Sequence, residues 1–156
     1  MSKKTHVIYT IGYEGATVDN LANTLTEAGV ELLIDVRAVP LSRKPGFSKN
    51  KLAARLKESG IAYLGLRGLG TPAAGRTAAR KGRITEMREI FTQHLETDDA
   101  QIDLAEALTV AEAQRSCLLC FEHHPQSCHR LVVAERMAEQ SGFEIIHLNP
   151  VIIGSL

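Results

Sequence analysis

Short apolar runs alternate with amphipathic segments along most of the chain. Runs rich in Val, Ile and Leu, bounded by glycine or polar residues, predict five β-strands at 5–12, 30–37, 61–66, 116–121 and 144–148. Segments with apolar residues every three or four positions predict helices at 17–29, 48–60, 83–96, 100–114 and about 127–141. The end signals agree with this assignment, since Thr17 and Ser48 are good N-caps and Gly29 and Gly60 are good helix terminators.

Residues 67–82 have a different composition. They hold four glycines and one proline, and no large apolar residue follows Leu69. This pattern predicts a long surface loop, and loops of that length in a compact domain are often functional.

Strands that alternate with helices predict a single α/β domain over residues 1–156. We expect a mostly parallel, five-stranded, Rossmann-like sheet flanked by helices on both faces, because the strands are apolar without a two-residue period. Right-handed crossovers are expected, and the preferred strand order is 3-2-1-4-5, as in Rossmann-like folds, with a flavodoxin-like order as the alternative. Ligands bind such sheets at the carboxyl ends of the strands. Three loops should converge there: 12–17, 35–49 and 122–130.

Composition changes the picture in two respects. The apolar run behind the first lysines is too short to be expected to act as a signal peptide, and no apolar stretch is long enough to span a bilayer, so we expect a cytoplasmic protein without a membrane partner. The formal net charge is zero, but residues 37–83 hold twelve Lys or Arg and one acid. This asymmetry predicts an anionic small molecule or nucleic acid as partner. A solvated basic face, neutralised by the acidic helices that follow, is the alternative.

The segment LLCFEHHPQSCHR, residues 118–130, carries most of the candidate chemistry, and a metal site is its first interpretation. Cys117 and Cys120 are three residues apart on a strand and should face opposite sides, so both are expected to be core residues. His123, His124, Cys128 and His129 offer zinc ligands, but no second pair of Cys or His completes a strong pattern. The sequence therefore predicts no metal ligand and no cofactor, and leaves open whether these four residues bind a metal.

A reactive thiol is the second interpretation. Ser127 should cap a helix, which places Cys128 in the first turn beside His129 and Arg130, where a thiol pKa is lowered. Cys128 would be the nucleophile of an enzyme, with His129 or Glu122 carrying the proton. The arginine that tyrosine phosphatases have six residues after their cysteine is absent, since Ala134 stands there.

The third interpretation, which we favour, is an anion site at the start of that helix, strengthened by Arg130. The loop 35–49 adds Arg37, Ser42, Arg43 and Lys49 on a backbone stiffened by prolines. Asp35 is expected to pair with Arg37, to bind a ligand hydroxyl or to serve as a base. In the first loop, Gly12 allows close backbone approach and Tyr13 supplies a hydroxyl.

Four motifs, TIGYEG, IDVRAVPLSRKPGFSK, GIAYLGLRGLG and LLCFEHHPQSCHR, resemble those of the domain-of-unknown-function family 488. The resemblance covers residues 8–140. It implies a compact α/β domain of prokaryotic type and no defined reaction. The positions that match the family's motifs are Gly12, Asp35, Arg37, Pro40, Ser42, Arg43, Phe47, Gly70, Glu122, Cys128, His129 and Arg130.

These observations favour a domain that binds a phosphate-bearing ligand, a nucleotide or a nucleic acid, at the strand ends, with the basic segment 67–83 closing over the ligand. A cysteine-dependent enzyme using Cys128, and a partner-binding domain without catalysis, are the alternatives. No pattern predicts the number of subunits.

Overall fold

The computed structural model describes residues 6–150, which fold into one all-parallel sheet with six α-helices. The strands are β1 (Val7–Gly12), β2 (Leu32–Asp35), β3 (Ala62–Gly65), β4 (Ser116–Cys120) and β5 (Glu144–Leu148). The helices are α1 (Val18–Glu27), α2 (Lys49–Glu58), α3 (Ala73–Arg80), α4 (Ile84–Leu95), α5 (Asp98–Ala113) and α6 (His129–Ser141). The predicted α/β class is confirmed. Thr5, the first residue of the predicted strand 5–12, lies outside the described residues.

The strand order is β3-β2-β4-β1-β5, so the predicted order 3-2-1-4-5 is wrong, as is the flavodoxin-like alternative. β4 lies between β2 and β1 and pairs with both. Every residue of β2 and β4 is buried, whereas the edge strands β3 and β5 are partly exposed. The fully buried β4 therefore occupies the centre of the sheet. β1, β2 and β4 are still neighbours, and their three carboxyl ends lie side by side.

Helices cover both faces of the sheet, as the alternation of side chains along the central strands shows. In β4, Leu118 and Cys120 pack in one apolar cluster with residues of α4, α5 and α6. Cys117 and Leu119 pack in a second cluster with residues of α1 and α2. No helix within residues 6–150 is long and apolar enough to cross a membrane.

Helix ends agree with the sequence signals at α1 and less well at α6. The Thr17 side chain accepts a hydrogen bond from the Asn20 amide at 3.1 Å and caps α1. Before α6, residues Pro125–Ser127 form a short 3₁₀-helix, so Cys128, and not Ser127, is the N-cap. Cys128 thus lies just outside the first turn, with extended backbone dihedral angles.

The predicted loop 67–82 is wrong, because this segment contains a 3₁₀-helix (Arg67–Leu69) and α3. The alanines of α3 favour a helix, Pro72 precedes it and Gly82, with a φ of 75°, follows it. Gly75 is buried, and a Cβ there would overlap the Thr71 methyl group. The helix therefore packs through small residues and has no periodic pattern of large apolar residues that would predict it.

Candidate functional site

A cleft of about 280 Å³ opens at the carboxyl ends of β1, β2 and β4. One wall consists of residues that follow these strands, and the other is α3 with the residues before it. Its lining residues are Tyr13, Arg37, Ala38, Val39, Leu41, Thr71, Gly75, Arg76, Ala79, Arg80, Met87, Cys120, Phe121, Glu122 and His129. The predicted convergence of three loops is therefore confirmed, and the basic segment 67–83 does border the cleft, as a helix.

Asp35 and Arg37 form a buried ion pair beneath the cleft. The Arg37 guanidinium donates to both carboxylate oxygens, at 2.9 and 2.7 Å, and also to the Phe47 carbonyl at 2.8 Å. Asp35 also accepts from the Arg37 amide and from the Tyr63 hydroxyl. Burial opposes the charge of Arg37, but the contacts with Asp35 outweigh burial and raise the pKa of the guanidinium. These bonds fix both side chains.

Tyr13 forms the floor of the cleft next to this pair. Its hydroxyl accepts a hydrogen bond from Arg37 at 3.3 Å. Its ring stacks on Phe47 with 4.4 Å between the centroids and meets Phe121 edge-on. Phe47 has no exposed surface. The aromatic stack therefore anchors the loop 35–49, which contains Phe47, to the core.

Cys120, Cys128 and His129 form a buried cluster at the inner end of the cleft. The His129 Nδ1 atom lies 3.7 Å from the Cys120 Sγ and 3.9 Å from the Cys128 Sγ. All three atoms lie within 4.8 Å of one another. Cys120 and His129 line the cleft, whereas Cys128, 1% exposed, lies behind them.

The two thiols of the cluster have opposite pKa shifts. The hydrogen bond with Cys128, together with burial, raises the pKa of Cys120. Burial also opposes charge on Cys128, but the hydrogen bond from Cys120 and the positive charges of His129 and Arg130 lower its pKa well below the ordinary value. Burial disfavours the imidazolium of His129, but the neighbouring Cys128 thiolate raises its pKa. The pKa of Cys128 is thus lowered, in the predicted direction, but through Cys120, His129 and Arg130 and not through a position in the first helical turn.

Glu122 lies at the edge of the same cluster. One carboxylate oxygen is 3.6 Å from the Cys120 Sγ. Burial, followed by the charge of Cys128, raises the pKa of this carboxyl to about 7. Near neutral pH the carboxyl is therefore present in both the protonated and the charged form.

Arg130 is fully buried and lies behind the cleft. Its guanidinium donates to the Glu122 carbonyl at 2.5 Å, to the His123 carbonyl at 3.3 Å and to the Thr10 hydroxyl at 3.2 Å. Arg130 thus holds the segment that follows β4 against β1. Arg37 and the two arginines of α3, Arg76 and Arg80, line the cleft, whereas Arg130 does not.

Gly12 is required by the same contact. A Cβ at this position would overlap the Glu122 carbonyl group and lie 3.0 Å from the Arg130 guanidinium. We expect Gly12→Ala to lower the free energy of unfolding by about 1–3 kcal/mol, as overpacking does. Chemical denaturation measures the loss. Gly65→Ala is the matched control, because a Cβ there meets only ordinary contacts at 3.5 Å or more. Equal losses in both variants would contradict the close approach.

Three predicted anion-binding residues lie elsewhere. Ser42, Arg43 and Lys49 line a separate surface groove, here called the basic groove, with Lys44 and Lys51. Within it the Ser48 hydroxyl joins Ser42 to the start of α2, through hydrogen bonds of 3.0 and 3.2 Å. The candidate anion residues are thus divided between the cleft and the basic groove.

Four residues of the cleft that carry a thiol, a hydroxyl or a guanidinium are not among the predicted site residues. Cys120 was expected to be a core residue only, yet its thiol contacts His129 and Glu122. Its place at the carboxyl end of a strand was the available signal. Thr71, Arg76 and Arg80 lie in the segment 67–83, which the sequence predicts to close over the ligand as a loop; it is α3, which Thr71 precedes, that brings the two arginines to the cleft. His123 and His124 pair with each other, at 4.9 Å between ring centroids, and are not in the cluster.

Comparison with known proteins gives one finding on the whole chain. Residues 17–137 match the model of a protein family, and the match contains three of the four motifs that carry the resemblance. No curated protein and no solved structure is significantly similar to the chain. Because the match covers most of its length, the chain belongs to the family described as domain of unknown function DUF488.

Proposed function

We propose that the protein binds a small phosphate-bearing ligand, of nucleotide size or smaller, in the cleft between the strand ends and α3. The buried Thr71 hydroxyl carries this proposal. It has no hydrogen-bond partner among the described residues, although Thr71 is only 3% exposed. Burying a hydroxyl without a partner is unfavourable, so a ligand oxygen in the cleft would satisfy it.

The charges around Thr71 suit an anion. Arg76 donates one hydrogen bond to the Thr71 carbonyl at 2.9 Å, and Arg80 makes one weak bond to Thr77 at 3.3 Å. Both guanidinium groups keep further N–H donors for a ligand, and the planar fork fits a phosphate. The acid that lines the cleft, Glu122, has its pKa raised to about 7 by burial, which weakens its repulsion of an anion.

The rim of the cleft suits an apolar part of the same ligand. Val39, Leu41 and Phe121 border the cleft and are 43%, 69% and 45% exposed. They are three of the four large apolar side chains that are exposed within residues 6–150. Such grouping marks a binding surface better than single exposed residues do. A base or sugar could cover these side chains while the phosphate contacts α3.

The test is calorimetric titration of the purified protein with inorganic phosphate and with a set of mononucleotides. Arg76→Gln and Arg80→Gln should each weaken binding about tenfold to a hundredfold, as loss of a charged hydrogen bond does. Lys49→Gln, an exposed cation of the basic groove, is the matched control and should leave affinity unchanged. Weaker binding in Lys49→Gln alone would transfer the anion site to the basic groove.

A salt series distinguishes a small ligand from a nucleic acid. One or two phosphates in the cleft give a shallow dependence of affinity on salt, whereas a tracked backbone gives a steep one. The catalytic alternative, in which Cys128 is a nucleophile, stays a prediction. In this structure Cys120 and His129 separate the Cys128 sulfur from the cleft.

A further inference from the structure

We propose that Cys120, Cys128 and His129 form a binding site for a thiophilic divalent cation, zinc above all, with its fourth position open to the cleft. Two thiol sulfurs and one imidazole nitrogen are the donor set. Soft donors of this kind select zinc over magnesium or calcium. The inference goes beyond the proposed function, because metal binding does not require an anion in the cleft.

The fold brings the three donors together from two elements. Cys120 is the last residue of β4, Cys128 is the N-cap of α6 and His129 is its first residue. The segment between them is held by the bonds of the Arg130 guanidinium to the Glu122 and His123 carbonyls. The donors are therefore placed by the sheet and by a helix start, and not by a free loop.

The distances fit a tetrahedral zinc ion. Zn–S bonds of about 2.3 Å and a Zn–N bond of about 2.0–2.1 Å separate sulfur from nitrogen by about 3.5 Å and two sulfurs by about 3.8 Å. The His129 nitrogen lies 3.7 and 3.9 Å from the two sulfurs. A shift of a few tenths of an ångström brings the two sulfur–nitrogen distances to those of a zinc site, and the two sulfurs lie within 4.8 Å of each other.

The second nitrogen of His129 fixes the orientation of the ring. Nε2 lies 2.8 Å from the Val36 carbonyl oxygen. Since a carbonyl can only accept, Nε2 carries a proton and donates it, and Nδ1 directs its lone pair towards the two sulfurs in the neutral ring. Metal-binding histidines are commonly held by such a bond to a carbonyl or carboxylate.

The fourth position faces the cleft. Cys120 and His129 line it, and the Glu122 carboxylate lies 3.6 Å from the Cys120 sulfur on the same side. Sites with three protein ligands keep a water or substrate in the fourth position, whereas structural zinc sites are closed by four. The cation would thus add positive charge to the inner wall of the cleft.

The test uses the full chain, reduced and freed of metal with a chelator. Zinc is titrated against a chromophoric chelator, and cobalt(II) replaces zinc for spectroscopy. We expect one equivalent of zinc, and a cobalt spectrum with intense d–d bands and a thiolate charge-transfer band. Cys120→Ser and Cys128→Ser should each weaken zinc binding at least about 100-fold, since even loss of an outer partner costs about 10–100-fold.

Cys117→Ser is the matched control, since this third free cysteine lies on the same strand with its side chain on the opposite face. It should retain the wild-type affinity. No zinc uptake, equal affinity in the Cys120→Ser variant, or a cobalt spectrum without thiolate bands would overturn the site. The spectrum of the wild-type chain decides even where a variant fails to fold. The site would also be overturned if Cys120 and Cys128 form a disulfide in air and the chain takes up no metal after this disulfide is reduced.

Phosphate titration of the metal-free protein keeps the two proposals separate. Phosphate binding by the metal-free protein supports the proposed anion site, whatever the result of the zinc titration. Zinc uptake without any phosphate or nucleotide binding overturns the proposed function alone.

Discussion

Asp35→Asn is expected to lower the free energy of unfolding by about 3–5 kcal/mol, the usual cost of leaving one buried charge of a pair uncompensated. Asp35 and Arg37 are 1% and 5% exposed, so water cannot replace the lost carboxylate. Asparagine keeps the shape of the side chain and one acceptor oxygen, but it replaces the other acceptor with an N–H donor that faces a guanidinium that also only donates, and it removes the negative charge. Denaturant unfolding, followed by circular dichroism, measures the change.

Asp19→Asn is the control for this prediction. Asp19 pairs with Arg55 at 2.9 Å, but the carboxylate is 74% exposed. Exposed pairs contribute at most about 1 kcal/mol, because solvent screens both charges. Similar losses in the two variants would mean that burial does not strengthen the Asp35–Arg37 pair, and that Arg37 has another way to satisfy its charge.

The strands and most helices were predictable from the sequence because each carries its own periodicity and end signals. Their order in the sheet was not. β1 and β4 are both apolar runs of similar length, and nothing in either states which of them pairs with β2. The exposure of the edge strand β3 and the complete burial of β4 become visible only after the sheet has formed. The pairing of strands that are distant in sequence therefore cannot be predicted from local sequence patterns.

The candidate site was predictable in position and only partly in composition. The rule that ligands bind parallel sheets at the carboxyl ends located the three loops and, with them, Tyr13, Arg37, Glu122 and His129. It did not show which face of the sheet each cysteine of β4 takes. Cys120 packs with residues of α4, α5 and α6, and Cys117 packs with residues of α1 and α2. A two-residue alternation along the strand predicts that the two cysteines face opposite sides of the sheet. It does not predict which helices cover which side.

The charge asymmetry of the sequence has two spatial components. Residues 37–83, which hold twelve Lys or Arg, include Arg76 and Arg80 of α3, which line the cleft. They also include the lysines of the basic groove. A sequence total cannot separate these sets, because they are interleaved with helices that face different sides. The mutational comparison of Arg80 with Lys49 therefore tests a division that only the fold reveals.

Arg130→Met is expected to lower the free energy of unfolding by about 2–4 kcal/mol. Methionine fills much of the apolar part of the side chain, but the Glu122 and His123 carbonyls and the Thr10 hydroxyl lose their donor. A buried acceptor left without a partner costs about 1–3 kcal/mol, and removal of the buried charge offsets part of the sum. The effect should be concentrated in the segment after β4.

Hydrogen exchange locates this effect. The amides of residues 122–128 should exchange faster in Arg130→Met, and zinc affinity should fall with them, since the same segment positions the cluster. Arg136→Met on the same helix is the matched control, because the ion pairs of Arg136 among residues 6–150 are with the exposed side chains of Glu96 and Glu139. It should lose about 1 kcal/mol or less and leave the exchange of residues 122–128 unchanged. Unchanged exchange in Arg130→Met would mean that α6 alone, without the guanidinium, holds the thiol cluster in place.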